Sequence, residues 1–371
     1  MLEQQSDNKI RAHSCLDCYL CGTQGQPLYQ ELQDRLFGVP GKWNLRKCSN
    51  LECGLVWLDP MPLEEDIGKA YKSYYTHTKT TPSKTLCQRI YDAVRNGYLQ
   101  SKLGYTQSVG PYWYRYLWPI AYLHPGGIEE IDRSVMFLPA LTPTAKLLDI
   151  GCGSGHALAR MRAIGWEVEG VDFDSLAVEV AQLKGIPAHL GDLRAQVYQD
   201  SYFDAIYMGH VLEHVYDPVG LLRECYRVLK PGGTLVVLTP NTDSWGHKLF
   251  NQDWRGLEPP RHLYLFNSKT IRKALKDANF DQVNIRTLAG STSYILSMSH
   301  LLKYGSLTTA NSPKNLEQKF RQKLNRLEQK LRGPVYQFWE RILLLARSHA
   351  GEEILTIAQK SLPLPQEAWE R

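Results

Sequence analysis

The run Leu147-Leu148-Asp149-Ile150-Gly151-Cys152-Gly153-Ser154-Gly155 constrains this chain more than any other part of it. A short apolar stretch that carries an acid and then breaks into three spaced glycines reads as a buried strand feeding a loop that opens a helix. Glycines at 151, 153 and 155 remove the Cβ atoms that would hold a ligand away from the backbone. The helix that follows points its first amides the same way. The expected occupant is a nucleotide-type cofactor. A dinucleotide fingerprint would read G-x-G-x-x-G, whereas here the third glycine comes one residue early and Asp149 stands ahead of the loop.

Further strands follow at the spacings such a sheet needs. Trp166 to Val171 read as a second strand ending at Asp172, where a doubly wound sheet sets a carboxylate beside ribose hydroxyls. Gly191-Asp192-Leu193 closes a third strand. Phe203 to Tyr207 form a fourth, running into Met208-Gly209-His210-Val211-Leu212-Glu213-His214. Asp217 suits a helix N-cap and Pro218 the first helical position, with Leu221, Leu222, Cys225 and Leu229 on one apolar stripe. Pro231-Gly232-Gly233 then turns into a fifth strand. These motifs, in this order, resemble the class I S-adenosylmethionine (SAM) methyltransferases. The resemblance implies an α/β, Rossmann-like seven-stranded sheet. It also implies cofactor contacts from Asp149, Gly151, Cys152, Gly153, Gly155, Asp172, Phe173, Asp192, Leu193 and His210.

Five of the 8 cysteines lie at positions 15, 18, 21, 48 and 53, a clustering that reads as metal. Cys18-Tyr19-Leu20-Cys21-Gly22 is a zinc-knuckle half-site, and Cys48 with Cys53-Gly54 supplies the second half with two extra residues between its thiols. Cys18, Cys21, Cys48 and Cys53 would satisfy a tetrahedral structural zinc and leave no open position for catalysis. Cys15 is a spare thiol or an alternative ligand. A disulfide framework is disfavoured because the rest of the chain looks intracellular. A zinc ribbon followed by Gly54-Leu55-Val56-Trp57-Leu58-Asp59-Pro60-Met61-Pro62 and a helix bearing Tyr71, Tyr74 and Tyr75 resembles a bacterial subset of these methyltransferases, linked to glycan and secondary metabolism.

The segment Val211 to Pro218 resembles its counterpart in the ubiquinone-biosynthesis O-methyltransferases. Methyl transfer to a hydroxyl needs a base near the acceptor oxygen. His214 is the first candidate, with Glu213 orienting it or binding a cation. The quinone enzymes carry an acid where this chain has His210, so their dependence on a divalent metal does not carry over. A second cluster, Trp254 to Phe266, offers His262 as an alternative base and Arg261 as an anchor for an acidic or phosphorylated acceptor. Bracing of the two loops is the competing role for these side chains. The expected activity is methyl transfer from SAM to an oxygen of a small-molecule, glycan or lipid-linked acceptor. Two alternatives are a nucleic-acid methyltransferase that uses the ribbon for capture, and a noncatalytic scaffold. Residues 15 to 53 carry no dense Lys/Arg stripe, which argues against nucleic acid.

The organisation expected is a ribbon over 1–60, an aromatic-rich helical connector over 61–143, a SAM domain over 144–291 and 351–362, and an amphipathic helical insertion over 292–350. A chain of 371 residues, 43% hydrophobic, has material for one catalytic domain and such appendages. Its net charge of +5 matches the local excess between Lys314 and Arg332, where seven basic residues meet two acidic ones. Leu316, Phe320, Leu324, Leu327 and Leu331 recur there at helical spacing. Pro334 then opens a second helix with Val335, Phe338, Trp339, Ile342, Leu343 and Leu345. The pair, with basic residues over 314–345, could lie on an anionic membrane, form a lid or join a homodimer. The aromatic run Pro111 to Pro119 is either an interfacial belt or ordinary packing. The first eight residues are polar and no long apolar run occurs, so the sequence predicts a cytoplasmic protein, at most peripheral to a membrane.

Overall fold

A computed structural model describes residues 9–71, 85–106, 109–123, 126–142, 144–305 and 333–362. The chain begins with short strands β1 (Ala12–His13), β2 (Gly25–Leu32), β3 (Trp43–Cys48), β4 (Val56–Leu58) and β5 (Met61–Pro62), then a single turn, α1 (Glu64–Ile67). Helices α2 (Leu86–Lys102) and α3 (Gly127–Ser134) lead to the main sheet. There the strand–helix alternation read from the sequence appears: β6 (Lys146–Ile150), α4 (His156–Ala163), β7 (Glu167–Asp172), α5 (Ser175–Leu183), β8 (Ala188–Leu190), β9 (Phe203–Gly209), α6 (Pro218–Val228) and β10 (Leu229–Pro240). After β10 come α7 (Trp245–Phe250), β11 (Tyr264–Leu265), α8 (Ser268–Asp277), β12 (Gln282–Leu288) and α9 (Thr292–Tyr304). A helix over 333–346 precedes the last strand, β13 (Glu353–Gln359).

The seven-stranded sheet runs β12-β13-β10-β9-β6-β7-β8, and β13 is antiparallel to both its neighbours. β6 reads as a nearly continuous apolar run because helices cover both faces, and four of its five residues are buried. Helix α6 starts where expected: Asp217 accepts a hydrogen bond from the Gly220 amide at 2.9 Å, Pro218 occupies the first turn, and Leu221, Leu222, Cys225 and Val228 are buried. The two strands predicted to close the sheet, 283–288 and 353–360, are β12 and β13. The first helix of the expected insertion, over 314–332, lies outside the described residues.

The ribbon is less separate than its cysteine spacing implied. Its sheet runs β11-β4-β3-β2, so the fourth strand comes from the loop after β10, with Tyr264 paired to Trp57 and Leu265 to Val56. One hydrophobic core accordingly holds Leu45, Leu55, Trp57 and Leu58 of the ribbon with Leu212, Leu263 and Phe266 of the catalytic domain. A module this small cannot bury enough surface alone, and here it shares its neighbour's core.

Candidate active site

At the carboxyl ends of β6 and β7 the site is built almost wholly from backbone. Gly151 and Gly153 both take positive φ, 76° and 52°. A Cβ on Gly151 would strike Val211 Cγ2 at 2.5 Å, so the glycine loop lies directly against the loop after β9. A Cβ on Gly153 would meet nothing within 4 Å, which makes its missing side chain the open floor of a cradle. Asp172 accepts the Gly153 amide at 2.8 Å and the Asp174 amide at 2.9 Å, holding the loop open from the neighbouring strand. Asp149 is buried beneath the loop, where burial first and the Asp172 carboxylate second push its pKa well up. Asp192 accepts the Ala195 amide at 2.7 Å at the exposed end of β8. Phe173 is 63% exposed, whereas Leu193 is buried.

Two of the expected cofactor residues behave differently. The Cys152 side chain turns into the core against Gly170, whose Cβ would approach its Sγ to 2.6 Å, so only its backbone borders the cradle. His210 reaches inward to two acids. Its Nδ1 bonds Glu213 Oε1 at 3.1 Å and its Nε2 bonds Glu353 Oε1 at 2.7 Å. The ring is 41% exposed, so burial opposes its charge only in part, and hydrogen bonds to the two carboxylates raise His210 to about 10. Burial likewise opposes ionisation of Glu353 and Glu213, yet His210 holds each at about 2. Arg133 of α3 closes the network on Glu353 Oε2 at 2.6 Å.

The structure brings Glu213, His214 and His262 together, with one ligand-capable atom from each within 4.8 Å of the others, so they are a set that could hold a cation. Glu213 Oε2 is buried with no hydrogen-bond partner among the described residues. His214 is half-buried, its Nδ1 at 2.9 Å from the Arg261 carbonyl and 3.0 Å from the Tyr71 hydroxyl. His262 stands behind it, ring centroids 4.7 Å apart, fully buried and donating from Nδ1 to the Gly256 carbonyl at 2.7 Å. Burial and then His214 push His262 down to about 4, which keeps it neutral. Arg261 corrects an expectation. Its guanidinium, 1% exposed, is taken up by Glu258 at 2.8 Å, Asp34 at 2.9 Å and the Ala70 carbonyl at 3.2 Å, so it anchors the ribbon rather than an acceptor.

Sequence reading missed Glu353, Arg133, Glu340 and Glu352. Two adjacent acids at the head of the apolar strand Ile354-Leu355 were the available signal, since acids buried at a strand end need partners. Glu352 accepts Gly246 N and Trp254 Nε1, each at 2.7 Å. Burial, reinforced by Glu352, raises Glu340 to about 10.

The cysteine set is compact. Cys18 and Cys53 Sγ lie 3.7 Å apart and Cys21 and Cys48 Sγ 3.4 Å apart, close to the edge of a tetrahedron with zinc–sulfur bonds of about 2.3 Å. The donor chemistry and spacing therefore fit a structural zinc. Cys15 stands outside the set, its Sγ 3.3 Å from His13 Nε2.

This sheet order, the glycine loop after β6 and the paired acids on β6 and β7 define the central region as a class I SAM methyltransferase fold. Residues 123–285 match the family described as "Methyltransferase domain", so the chain contains a domain of that family. Over 130 residues the chain is 38% identical to a ubiquinone biosynthesis O-methyltransferase of Xanthomonas campestris pv. campestris, covering 33% of this chain and 52% of that protein. Over 164 residues it is 35% identical to the enzyme of the same name from Xylella fastidiosa, covering 41% and 63%. The chain thus spans less than two thirds of the curated relatives it matches. A SAM-dependent methyltransferase structure from Archaeoglobus fulgidus aligns at 19% identity and TM-score 0.40, covering 67% of this chain and 100% of that one.

Proposed function

We propose that this chain transfers the methyl group of SAM to an oxygen of a small-molecule acceptor, with His214 as the base. The observation that carries this reading is the contact between the open glycine cradle at Gly151–Gly153 and the loop holding Glu213 and His214. Three features support SAM in the cradle: Gly153 faces empty space, Asp172 offers a carboxylate that we assign to the ribose, and we assign Asp192 and the exposed Phe173 to the adenine. Bound there, SAM supplies an electrophilic methyl on a sulfonium. His214 takes the proton that the acceptor oxygen loses, and Glu213, with its unpartnered Oε2, compensates the imidazolium that results. His210 is the positive centre that lets Glu213 and Glu353 stay ionised beside it.

Glycan or lipid-linked acceptors and a cytoplasmic location remain part of this reading. Nucleic acid is not, because the ribbon carries no basic stripe. The test is transfer of labelled methyl from SAM to small molecules of a host extract. Loss of about 100-fold or more in His214→Ala supports the base assignment, and an unchanged rate removes it.

We also propose one structural zinc per chain on Cys18, Cys21, Cys48 and Cys53. Elemental analysis of protein prepared without chelators tests it.

One further observation favours a membrane-facing role. The helix over 333–346 turns Tyr336, Gln337 and Glu340 towards α9 and its surroundings, while Val335, Phe338, Trp339 and Leu345 are more than half exposed. An apolar outer face that directly follows a +5 stretch of sequence suits an anionic bilayer better than a second copy bearing the same charge. No helix among the described residues is long and apolar enough to cross a membrane. Wild-type protein that does not sediment with anionic vesicles at low salt overturns this reading.

A further inference from the structure

We propose that the aromatic segment 111–123 is a bilayer anchor, and that with the helix over 333–346 it forms one surface that docks on an anionic membrane. The inference rests on the membrane-facing reading of that helix. It goes beyond it by assigning a second, separate element of the chain to the same partner.

Packing decides which way the rings of this segment point. Tyr112–Tyr116 and Trp118–Leu123 are two short 3-10 helices packed against α2, and α2 takes up their backbone. A Cβ on Gly97 of α2 would overlap the Tyr114 carbonyl, so the main chain of the segment lies directly on the helix. Gln100 donates to the Val109 and Gly110 carbonyls, each at 3.2 Å, and Ser101 to the Arg115 carbonyl at 2.8 Å. Leu117, Trp118 and Ala121 turn inward to the core. The other large side chains turn outward: Tyr112, Trp113, Tyr116, Tyr122 and Leu123 are all more than half exposed. Ordinary packing accounts for one side of the segment and leaves the other in solvent.

Ring chemistry and charge give this outer side the character of a membrane interface. Tyr and Trp join an apolar ring to a polar tip and collect where hydrocarbon meets headgroups. Basic groups stand over these rings: Arg115 Cζ lies 4.7 Å from the centre of Tyr112 and 5.7 Å from that of Tyr116, and Lys102 Nζ lies 4.1 Å from that of Trp118. Such side chains reach lipid phosphates while the aromatic bodies enter the acyl boundary. Residues 109–123 contain Arg115 and no acid. Over 333–347 the charged residues are Arg341, Arg347 and Glu340, and Glu340 is buried, accepting the Thr292 hydroxyl. The charge that both elements show to solvent is therefore positive, which fits an anionic leaflet and opposes a second copy of the same face.

The two elements are tied together through α3, which follows the aromatic segment. A Cβ on Gly126, the N-cap of α3, would overlap the Arg341 guanidinium of the 333–346 helix. Glu129 of α3 accepts the Gly290 amide at 2.6 Å, and Gln337 donates to the Ala289 carbonyl at 3.2 Å, so both elements hold the same turn before α9. One turn along α3 from Glu129, Arg133 binds Glu353 on the proposed acceptor side. Docking through both elements would hold α3, and with it the acceptor side, close to the lipid, which suits a lipid-linked acceptor.

The test uses the full chain with vesicles of phosphatidylglycerol and phosphatidylcholine, and with vesicles of phosphatidylcholine alone. Wild-type protein should sediment with the anionic vesicles at low salt, much less at high salt, and little with the zwitterionic ones. The double variant Trp113→Ser, Tyr116→Ser should weaken apparent affinity about tenfold with an unchanged thermal melt, because both rings stand outside the core. Should that variant fail to fold, Trp113→Phe reads the same contact by difference: lipids brominated on their acyl chains should quench the emission that this substitution removes. Binding that is insensitive to Trp113 and Tyr116 overturns the anchor, and leaves the helix reading standing where Trp339→Ser weakens it. Equal sedimentation with both kinds of vesicle overturns the choice of an anionic partner. A wild-type dimer in analytical ultracentrifugation that the double variant turns into monomer overturns the anchor as well, by giving the face to a second copy. Wild-type protein that sediments with neither kind of vesicle overturns the anchor and the helix reading together.

Discussion

The two halves of the site are made from different materials. On the proposed cofactor side, at the ends of β6, β7 and β8, the parts are glycines, backbone amides and acids within one continuous stretch of sequence. On the proposed acceptor side, the parts are charged side chains drawn from α3, the loop after β9, the loop before β11 and the start of β13. A backbone cradle needs only local chain conformation. A network of buried charges needs partners from distant segments, and each member depends on the others because a lone buried charge is costly. Substitutions on the acceptor side should therefore damage stability, whereas those on the cofactor side should damage binding.

The largest effect is expected at Glu353. Glu353→Ala leaves His210 without one partner and Arg133 without its bidentate acceptor, and should destabilise the protein by about 3 to 5 kcal/mol in denaturant unfolding. A loss below about 1 kcal/mol would mean the network is no more than a surface pair.

Next in size is Asp172→Ala, which should weaken SAM binding by about 1 to 3 kcal/mol through loss of charge-assisted hydrogen bonds. Calorimetry measures it. Unfolding curves should change less than for Glu353→Ala, and the reverse ranking would erase the contrast between the halves.

The pH dependence separates the halves a second way. His210 is raised to about 10 from 6.5, so its contribution to stability is complete below 6.5 and fades as pH climbs towards 10. Glu213 and Glu353 are lowered to about 2 from 4.5, so theirs is complete above 4.5 and is lost as pH falls towards 2. Stability from this network should peak between these limits. His210→Gln should flatten the alkaline limb of a thermal-melt series, and a limb as steep as wild type would assign it to other groups.

The smallest effect on folding is expected outside both halves. Trp339→Ser, at a residue 54% exposed, should change unfolding free energy by no more than about 0.5 kcal/mol while reducing sedimentation with anionic vesicles. A large loss of stability would show that this face is covered within the folded chain.

Much of this architecture was legible beforehand because it follows from local rules. Three glycines after an apolar run determined the loop at 151–155, Asp217-Pro218 determined the start of α6, and the order of motifs determined the parallel core of the sheet. The cysteine pairs likewise announced their own meeting, since two short half-sites have few other ways to satisfy four thiols. The pairing of β11 with β4 was not legible, because a two-residue strand has no periodicity to read. Nor was the burial of Arg261, whose partners Asp34 and Ala70 lie 227 and 191 residues away. Sequence by itself determined the glycine loop at 151–155 and the meeting of the four cysteines, because backbone freedom and ligand spacing are short-range properties. Only the tertiary structure decided which charges are paired. It joined His210 to Glu353 across 143 residues, Arg133 to the same acid across 220, and Tyr71 to His214 across 143. The energy of a buried charge depends on neighbours that chain order does not name.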